Sequence, residues 1–195
     1  MFDKVKAKHL RGFKQSAVGF IRNIFESFAY YLNRKPHGDP NPRHVILVCR
    51  GNICRSAFAE HYLKTKLSGE FAKIESCGTD VNRSTDSPPN AVKVAAEFGV
   101  DLSRHASKGM NACDLEGGDL ILPMEYSQYR DIKKLYPKYK NKVKLLKEFA
   151  PLPQRLFCNI YDPFGLSDDE FRRCFREIQI ALDGLNNHLQ RTNNR

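Results

Sequence analysis

A cysteine and an arginine stand six positions apart at the two ends of one short loop. Cys49 follows four apolar residues, 45–48, and Arg55 begins a run in which apolar residues recur at helical spacing. A thiolate is a strong nucleophile, and a guanidinium can hold two oxygens of a phosphate at once. A loop between a buried strand and a helix also directs its free N–H groups at one point, which favours an anion. The pattern therefore predicts a site where sulfur attacks a phosphoryl group.

The residues inside this loop fit the same interpretation. Gly51 and Asn52 tolerate positive φ angles, so the chain can turn tightly there. The helix N-terminus, the Arg55 guanidinium and the Ser56 hydroxyl should each stabilise the Cys49 thiolate.

A second segment with the same cysteine–arginine spacing runs from Cys77 to Arg83. It contains a carboxylate, Asp80, and prolines rather than a helix follow it. A phosphate dianion would be repelled there, with no helix dipole to offset the repulsion. We therefore expect the second copy to be a coincidence.

The remaining chain alternates between buried strands and amphipathic helices. Strands are predicted at 45–48, 71–76, 119–124 and 142–146, and helices follow the first three strands and end the chain. Such alternation implies right-handed crossovers between parallel strands. The predicted fold class is α/β, a four-stranded parallel sheet with helices on both faces and the phosphate-binding loop between strand 1 and helix 1.

An Asp-Pro segment between the fourth strand and the last helix supplies an acid. In a sheet of this type, ligands bind beyond the carboxyl ends of the strands, where Cys49 and this segment should both lie. Transfer of a phosphoryl group to sulfur requires an acid that protonates the departing oxygen. Asp162 is the acid that the sequence places there, and we expect Phe164 to form an aromatic wall.

The whole chain narrows the class of protein. Its 195 residues suit one α/β domain with an appendage, and six cysteines without regular spacing are typical of a reducing cytoplasm. No Cys/His spacing indicates a metal site. The net charge of +10 favours acidic or phosphorylated partners or anionic lipid, whereas no nucleic-acid-binding pattern is present. We expect a cytoplasmic protein that needs no cofactor and binds no nucleic acid.

The first 33 residues are predicted to form a basic amphipathic helical extension. Five basic residues precede position 15, and an apolar stripe runs from Leu10 to Leu32. Such a stripe must be covered by an anionic membrane surface, by the domain or by a second subunit. Residues 34–43 contain three prolines and are predicted to be a linker, which leaves 44–195 as the catalytic domain. If an anionic membrane covers the stripe, the protein would lie peripherally on the inner face of that membrane.

The chain resembles the low-molecular-weight protein tyrosine phosphatases. Residues 48–56 match their phosphate loop, and Asp162-Pro163-Phe164 matches their general-acid loop. Ser76-Cys77-Gly78-Thr79 is similar to their Ser-Ala-Gly-Thr segment, in which the serine braces the loop asparagine. The resemblance covers roughly residues 44–190, and the extension lies outside it.

This resemblance implies a role for each residue of the site. Cys49 would be the nucleophile, Arg55 would hold the phosphoryl oxygens, and Asp162 would act first as acid and then as base. Asn52 and Ser76 would brace the loop, Ser56 would support the thiolate, and Phe164 would form the substrate wall. The implied phosphate-binding residues are Arg50, Gly51, Asn52, Ile53, Cys54, Arg55 and Ser56. No metal or organic cofactor is implied.

The resemblance also implies the substrate. Phosphotyrosine in proteins, including bacterial tyrosine kinases, would be hydrolysed through a cysteinyl-phosphate intermediate. Cys54 would form a reversible disulfide with Cys49, as the family does with such a pair. The oligomeric state is left open.

Three alternatives differ in chemistry. Phosphatases of this family that act on protein arginine phosphate carry Thr where Ile53 stands. A related arsenate reductase would need two further cysteines in a downstream loop, and Cys113 has no partner six residues on. A non-enzymatic phosphate-binding scaffold would have no need of Cys49, Arg55 and Asp162 together.

Overall fold

Three parallel strands form the sheet that carries the site. The computed structural model describes residues 2–34, 42–66 and 71–193, with side chains from 18 to 191 within these ranges. Among them are β1 (His44–Cys49), β2 (Lys73–Gly78) and β3 (Leu120–Pro123), in the order β2-β1-β3. In the central strand all six residues are buried, as expected for a strand covered on both faces. Cys49 pairs with Gly78 at the carboxyl edge of the sheet.

Five α-helices accompany this sheet. They are α1 (Phe2–Asn33), α2 (Arg55–Lys66), α3 (Pro89–Glu97), α4 (Tyr126–Leu135) and α5 (Asp168–Asn193). Val45 and Leu47 point into a core shared with α2, α3 and α5. Ile46 and Val48 point to the opposite face, into a second core with α4 and with Tyr30 of α1. This alternation follows from the two-residue period of a strand, and it confirms the predicted α/β class with helices on both faces.

The number of strands differs from the prediction. In the described part of the chain, the segment predicted as a fourth strand makes a single parallel bridge, between Val143 and Ile121, and then enters a short 3-10 helix, Leu146–Phe149. Beyond Val143 the ladder lacks its next donor, because Pro123 at the end of β3 has no backbone N–H to give to the carbonyl of Lys144. The N–H of Leu145 points away from β3 and donates to the hydroxyl of Tyr30 at 3.1 Å. A proline in the neighbouring strand therefore ends the pairing that the local pattern favoured.

The last turns of α1 lie on the domain with one face and leave the other face open. Ser27 and Tyr30 are buried, while large apolar side chains on the other face are exposed: Val18, Ile21, Phe25, Phe28 and Leu32. The side chains of Leu10 and Phe13, which begin the predicted stripe, and residues 35–41 of the predicted linker lie outside the described residues. No helix in the described ranges is both long and apolar enough to cross a membrane.

Candidate active site

Cys49 lies at the base of a loop that surrounds its sulfur with donors. The Sγ atom is 3.0 Å from the Ser56 hydroxyl and accepts a hydrogen bond from the backbone N–H of Asn52 at 3.2 Å. Cys49 is buried at the end of β1, and Ser56 is buried in the first turn of α2. Donors aimed at a sulfur favour its anionic form, so the local geometry suits a nucleophilic thiolate.

The loop is held in a left-handed turn at Asn52. Its φ angle is +53°, a conformation that asparagine tolerates better than most residues. The side-chain amide donates to Ser76 Oγ at 2.7 Å and to Ser56 Oγ at 2.9 Å, and its oxygen accepts from the N–H of Lys108 at 2.9 Å. The contact with Ser76 is therefore present in the structure.

Two neighbours that were not anticipated complete this support. The Asn52 carbonyl is 2.7 Å from Nε2 of His105, and Ser76 donates a hydrogen bond to the buried carboxylate of Glu60. His105 is 53 positions from Asn52, and Glu60, although it lies in the adjoining helix α2, acts through Ser76 of β2, so no local pattern indicated either contact. Together they bind the loop through a buried polar network, in which each hydrogen bond is stronger than it would be in water.

Arg55 is the most deeply buried charge of the site. Its Nη1 donates to the Ile160 carbonyl at 3.0 Å and pairs with Glu125, and its Nη2 is 2.5 Å from Oδ2 of Asp162. Although burial opposes the charge, the facing charges of Cys49, Asp162 and Glu125 raise the pKa of Arg55 further above its ordinary value. Its Nε atom is buried without a partner among the described residues, and is thus a donor available to an anion.

Asp162 reaches the site from a loop whose backbone is fixed by proline. Its carboxylate is partly exposed. One oxygen pairs with Arg55, and the other accepts a hydrogen bond from the backbone N–H of Phe164 at 3.3 Å. Phe164 itself is 60% exposed and is not among the side chains that line the adjoining groove. The structure therefore brings the acid to the loop but does not place the predicted aromatic wall against it.

A groove of about 640 Å³ opens beside the loop. One side is the Arg50–Asp80 pair, which is 3.2 Å apart and exposed, and the other is α4 with Lys134 and Leu135. Glu125, at the start of α4, lines it as well. The sequence reasoning missed Glu125, although its position directly after β3 at the carboxyl edge was a usable signal.

The remaining residues of the loop and the cysteine of the second copy differ in how deeply they are buried. Gly51 and Ile53 are partly buried, and Ile53 packs against the core beneath α2. Cys54 is buried, and burial together with the charge of Cys49 raises the pKa of its thiol. The Cys77 thiol of the second copy is fully buried in β2, and its hydrogen bond with Cys113, together with burial, raises its pKa.

Comparisons with known proteins agree with this geometry. The family model for the low molecular weight phosphotyrosine protein phosphatases matches residues 44–195. The chain belongs to this family. The phosphatase is 31% identical over 147 residues to the low molecular weight protein-tyrosine-phosphatase Etp of Escherichia coli K12, covering 75% of this chain and 95% of that protein.

The chain is also similar to an arginine phosphatase and to a second bacterial tyrosine phosphatase. The phosphatase is 29% identical to the protein-arginine-phosphatase of Bacillus subtilis, covering 75% of this chain and 97% of that one. Its structure is similar to that of the tyrosine phosphatase AmsI of Erwinia amylovora, with a TM-score of 0.68, 30% identity and coverage of 80% and 97% of the two chains. The phosphatase is thus a cysteine-dependent enzyme that acts on phosphoproteins.

Proposed function

We propose that the protein hydrolyses phosphotyrosine in proteins through a cysteinyl-phosphate intermediate. The observation that carries this proposal is the convergence of three groups on one loop: the sulfur of Cys49, the unpartnered Nε of Arg55 and the carboxylate of Asp162. A nucleophile, an oxyanion donor and an acid within one site are the parts that phosphoryl transfer to sulfur requires.

In the first step, the Cys49 thiolate attacks phosphorus and forms the S–P bond. Backbone N–H groups of residues 50–56 and the Arg55 guanidinium bind the phosphoryl oxygens and stabilise the negative charge on them in the transition state. Asp162 gives its proton to the phenolic oxygen as the O–P bond breaks. Tyrosine then leaves as a neutral phenol.

In the second step, water attacks the phosphocysteine. Asp162, now a carboxylate, accepts a proton from the water, and inorganic phosphate leaves as the S–P bond breaks. The Cys49 thiolate is restored, and Ser56 and the Asn52 N–H stabilise it as the leaving group.

The ion pair between Arg55 and Asp162 involves the same guanidinium that a phosphate would bind. A phosphate dianion competes with the Asp162 carboxylate for the same guanidinium. Binding of substrate therefore releases Asp162 from Arg55, which leaves the carboxyl group free to face the departing oxygen. Glu125 remains on the other side of the guanidinium and fixes its orientation.

A second candidate substrate is protein arginine phosphate. The specific observation behind it is the similarity to relatives that carry this name, including the Bacillus subtilis enzyme. Ile53 argues for phosphotyrosine, because the arginine-phosphate phosphatases resembled here carry threonine at this position. Ile53 lies within the loop, is partly buried and packs against the core.

The test compares two phosphopeptides of the same sequence, one with phosphotyrosine and one with phosphoarginine. We expect kcat/KM to be higher for phosphotyrosine, and we expect Ile53→Thr to shift the ratio towards phosphoarginine. A wild-type enzyme that prefers phosphoarginine would contradict the proposal. Cys49→Ser provides the control for both substrates.

The extension forms part of the proposal as well. Residues 1–33 act as a basic amphipathic helix that binds an anionic membrane surface peripherally, 34–43 link it, and 44–195 form the phosphatase domain. The exposed apolar side chains of α1 and the start of the family match at residue 44 support this division. A membrane-associated tyrosine kinase is the substrate that such a placement favours.

A further inference from the structure

The general acid is carried by a short segment that has no sheet ladder of its own. Residues 158–160 run directly into Asp162 without regular secondary structure. On the side that faces the active site, Ile160 makes two hydrogen bonds. Its carbonyl accepts one from the Arg55 guanidinium at 3.0 Å, and its N–H donates one to the Met124 carbonyl at 2.9 Å. Cys158 and Ile160 are both fully buried. The position of Asp162 therefore depends on what holds this segment from its other side.

That other side is held by α1. The N–H of Cys158 donates to the Ser27 hydroxyl at 2.8 Å, and Ser27 is 4% exposed. The side-chain amide of Asn159 donates to Glu26 at 2.6 Å and to Asn23 Oδ1 at 3.1 Å. These contacts come from one face of two successive helical turns, so they act on the segment together.

Asn159 also joins this face to the opposite wall of the site. Its Oδ1 accepts the N–H of Tyr126 at 2.7 Å, at the first residue of α4. The residue before Tyr126 is Glu125, which pairs with Arg55. A displacement of α1 would therefore reach both carboxylates that face the guanidinium.

The residues that supply these contacts lie outside the family match, which begins at residue 44. We propose that Asn23, Glu26 and Ser27 of α1 are positioning residues for the general acid, so that the N-terminal extension sets the geometry of the proton-transfer step. The inference rests on the proposed function, because it takes Asp162 as the acid. Its physical basis is that proton transfer requires hydrogen-bond distance between the acid and the departing oxygen, so a small shift of the loop slows that step selectively.

Aryl phosphates that differ in leaving-group pKa test this. A leaving group of low pKa departs without a proton, whereas tyrosine needs one. We expect Ser27→Ala and Glu26→Ala in the full chain to lower kcat/KM for phosphotyrosine by roughly three- to tenfold, the effect of about one lost hydrogen bond. For dinitrophenyl phosphate we expect a change below about twofold, since the acid contributes little there. Glu26→Gln keeps an acceptor for Asn159 and should restore most of the rate.

Two controls separate positioning from general damage. Phe28→Ala alters the same helix on its exposed face and should leave both substrates unaffected. In an Asp162→Asn background, Ser27→Ala should have no further effect on phosphotyrosine, because the acid that it positions is gone. Hydrogen exchange of residues 158–162 should rise in Ser27→Ala and stay unchanged in Phe28→Ala.

The outcomes are distinguishable from failure of the proposed function. A wild-type enzyme without Cys49-dependent activity would overturn the function, and the exchange rates would still report whether α1 holds the segment. Equal losses for both leaving groups, or a full Ser27→Ala effect in the Asp162→Asn background, would overturn positioning. No change in Glu26→Ala, which is partly exposed and should fold, would overturn it too.

Discussion

At the scale of single residues, two carboxylates that pair with the same arginine are held in different ways. Asp162 reaches Arg55 from a partly exposed loop, whereas Glu125 is anchored at the start of α4 by a capping box with Gln128. The partly exposed partner is suited to exchange a proton, and the anchored partner is suited to hold the guanidinium. Asp162 could be found from its own motif, but the role of Glu125 depends on a contact across 70 residues of sequence.

Asp162→Ala tests the first of these roles. We expect kcat/KM for phosphotyrosine to fall by about 10²-fold or more, the usual contribution of a general acid, and to fall much less for an aryl phosphate with a good leaving group. Steady-state kinetics with both substrates make the comparison. Equal losses for the two would show that Asp162 does not protonate the departing oxygen.

The two loop cysteines carry a redox prediction. A hydroperoxide oxidises the Cys49 thiolate to a sulfenic acid, and the Cys54 thiol then forms a disulfide with release of water. Burial raises the pKa of Cys54, so it serves as the resolving thiol and not as the first one oxidised. We expect peroxide inactivation that a thiol reductant reverses in the wild type but not in Cys54→Ala.

Mass spectrometry of the oxidised protein checks the pairing. A Cys49–Cys54 linkage is the expected product. Full recovery of Cys54→Ala after reduction, or a linkage that involves Cys113 instead, would contradict the prediction.

At the scale of elements, the phosphate loop depends on the close approach of β2. A Cβ at Gly78 would lie 2.6 Å from the Arg50 carbonyl oxygen and 2.5 Å from a methyl group of Val81. Backbone cannot yield there without moving the loop, so Gly78→Ala should lower activity strongly and stability by about 1–3 kcal/mol. Gly19→Ala is the matched control, because its Cβ in α1 would meet nothing within 4 Å.

Activity and thermal unfolding of both variants give the measurement. A Gly78→Ala enzyme with wild-type rate and stability would mean that the loop does not need this approach. Gly19→Ala should be neutral or slightly stabilising, since alanine replaces glycine inside a helix.

The elements that the sequence predicted well are those with local signals. β1, the tight turn and α2 follow from a buried apolar run, from Gly51 and Asn52, and from helical spacing. The fourth strand was wrong because Pro123 at the end of β3 has no N–H with which to continue the ladder past Val143. The docked face of α1 was missed for a different reason: Asn23, Glu26 and Ser27 are polar, and only their distant partners show that this face is covered.

At the scale of the whole molecule, α1 has two faces with different tasks. One is covered by the domain, and the other exposes a row of large apolar side chains behind a basic N-terminal segment. Each basic residue near an anionic surface adds about 1 kcal/mol, an effect that salt weakens. We expect the full chain to bind anionic vesicles, less so at high salt and hardly at all to neutral ones.

The variant Phe25→Glu/Phe28→Glu should abolish this binding, and Leu152→Glu, an exposed apolar position on the domain, should not. Co-sedimentation with vesicles measures it. Unchanged binding of the helix variant would contradict membrane docking. A dimer in solution that the same variant dissociates would show that a second copy covers the face.

The central claim is that Cys49, and not the equally spaced Cys77, is the nucleophile. The direct measurement is the initial rate of aryl-phosphate hydrolysis by Cys49→Ser and Cys77→Ser. A serine hydroxyl is not ionised at neutral pH, so Cys49→Ser should lose all measurable activity. Cys77→Ser should keep a rate close to wild type. Activity in Cys49→Ser would contradict the mechanism, and loss of activity confined to Cys77→Ser would place the nucleophile at the other copy.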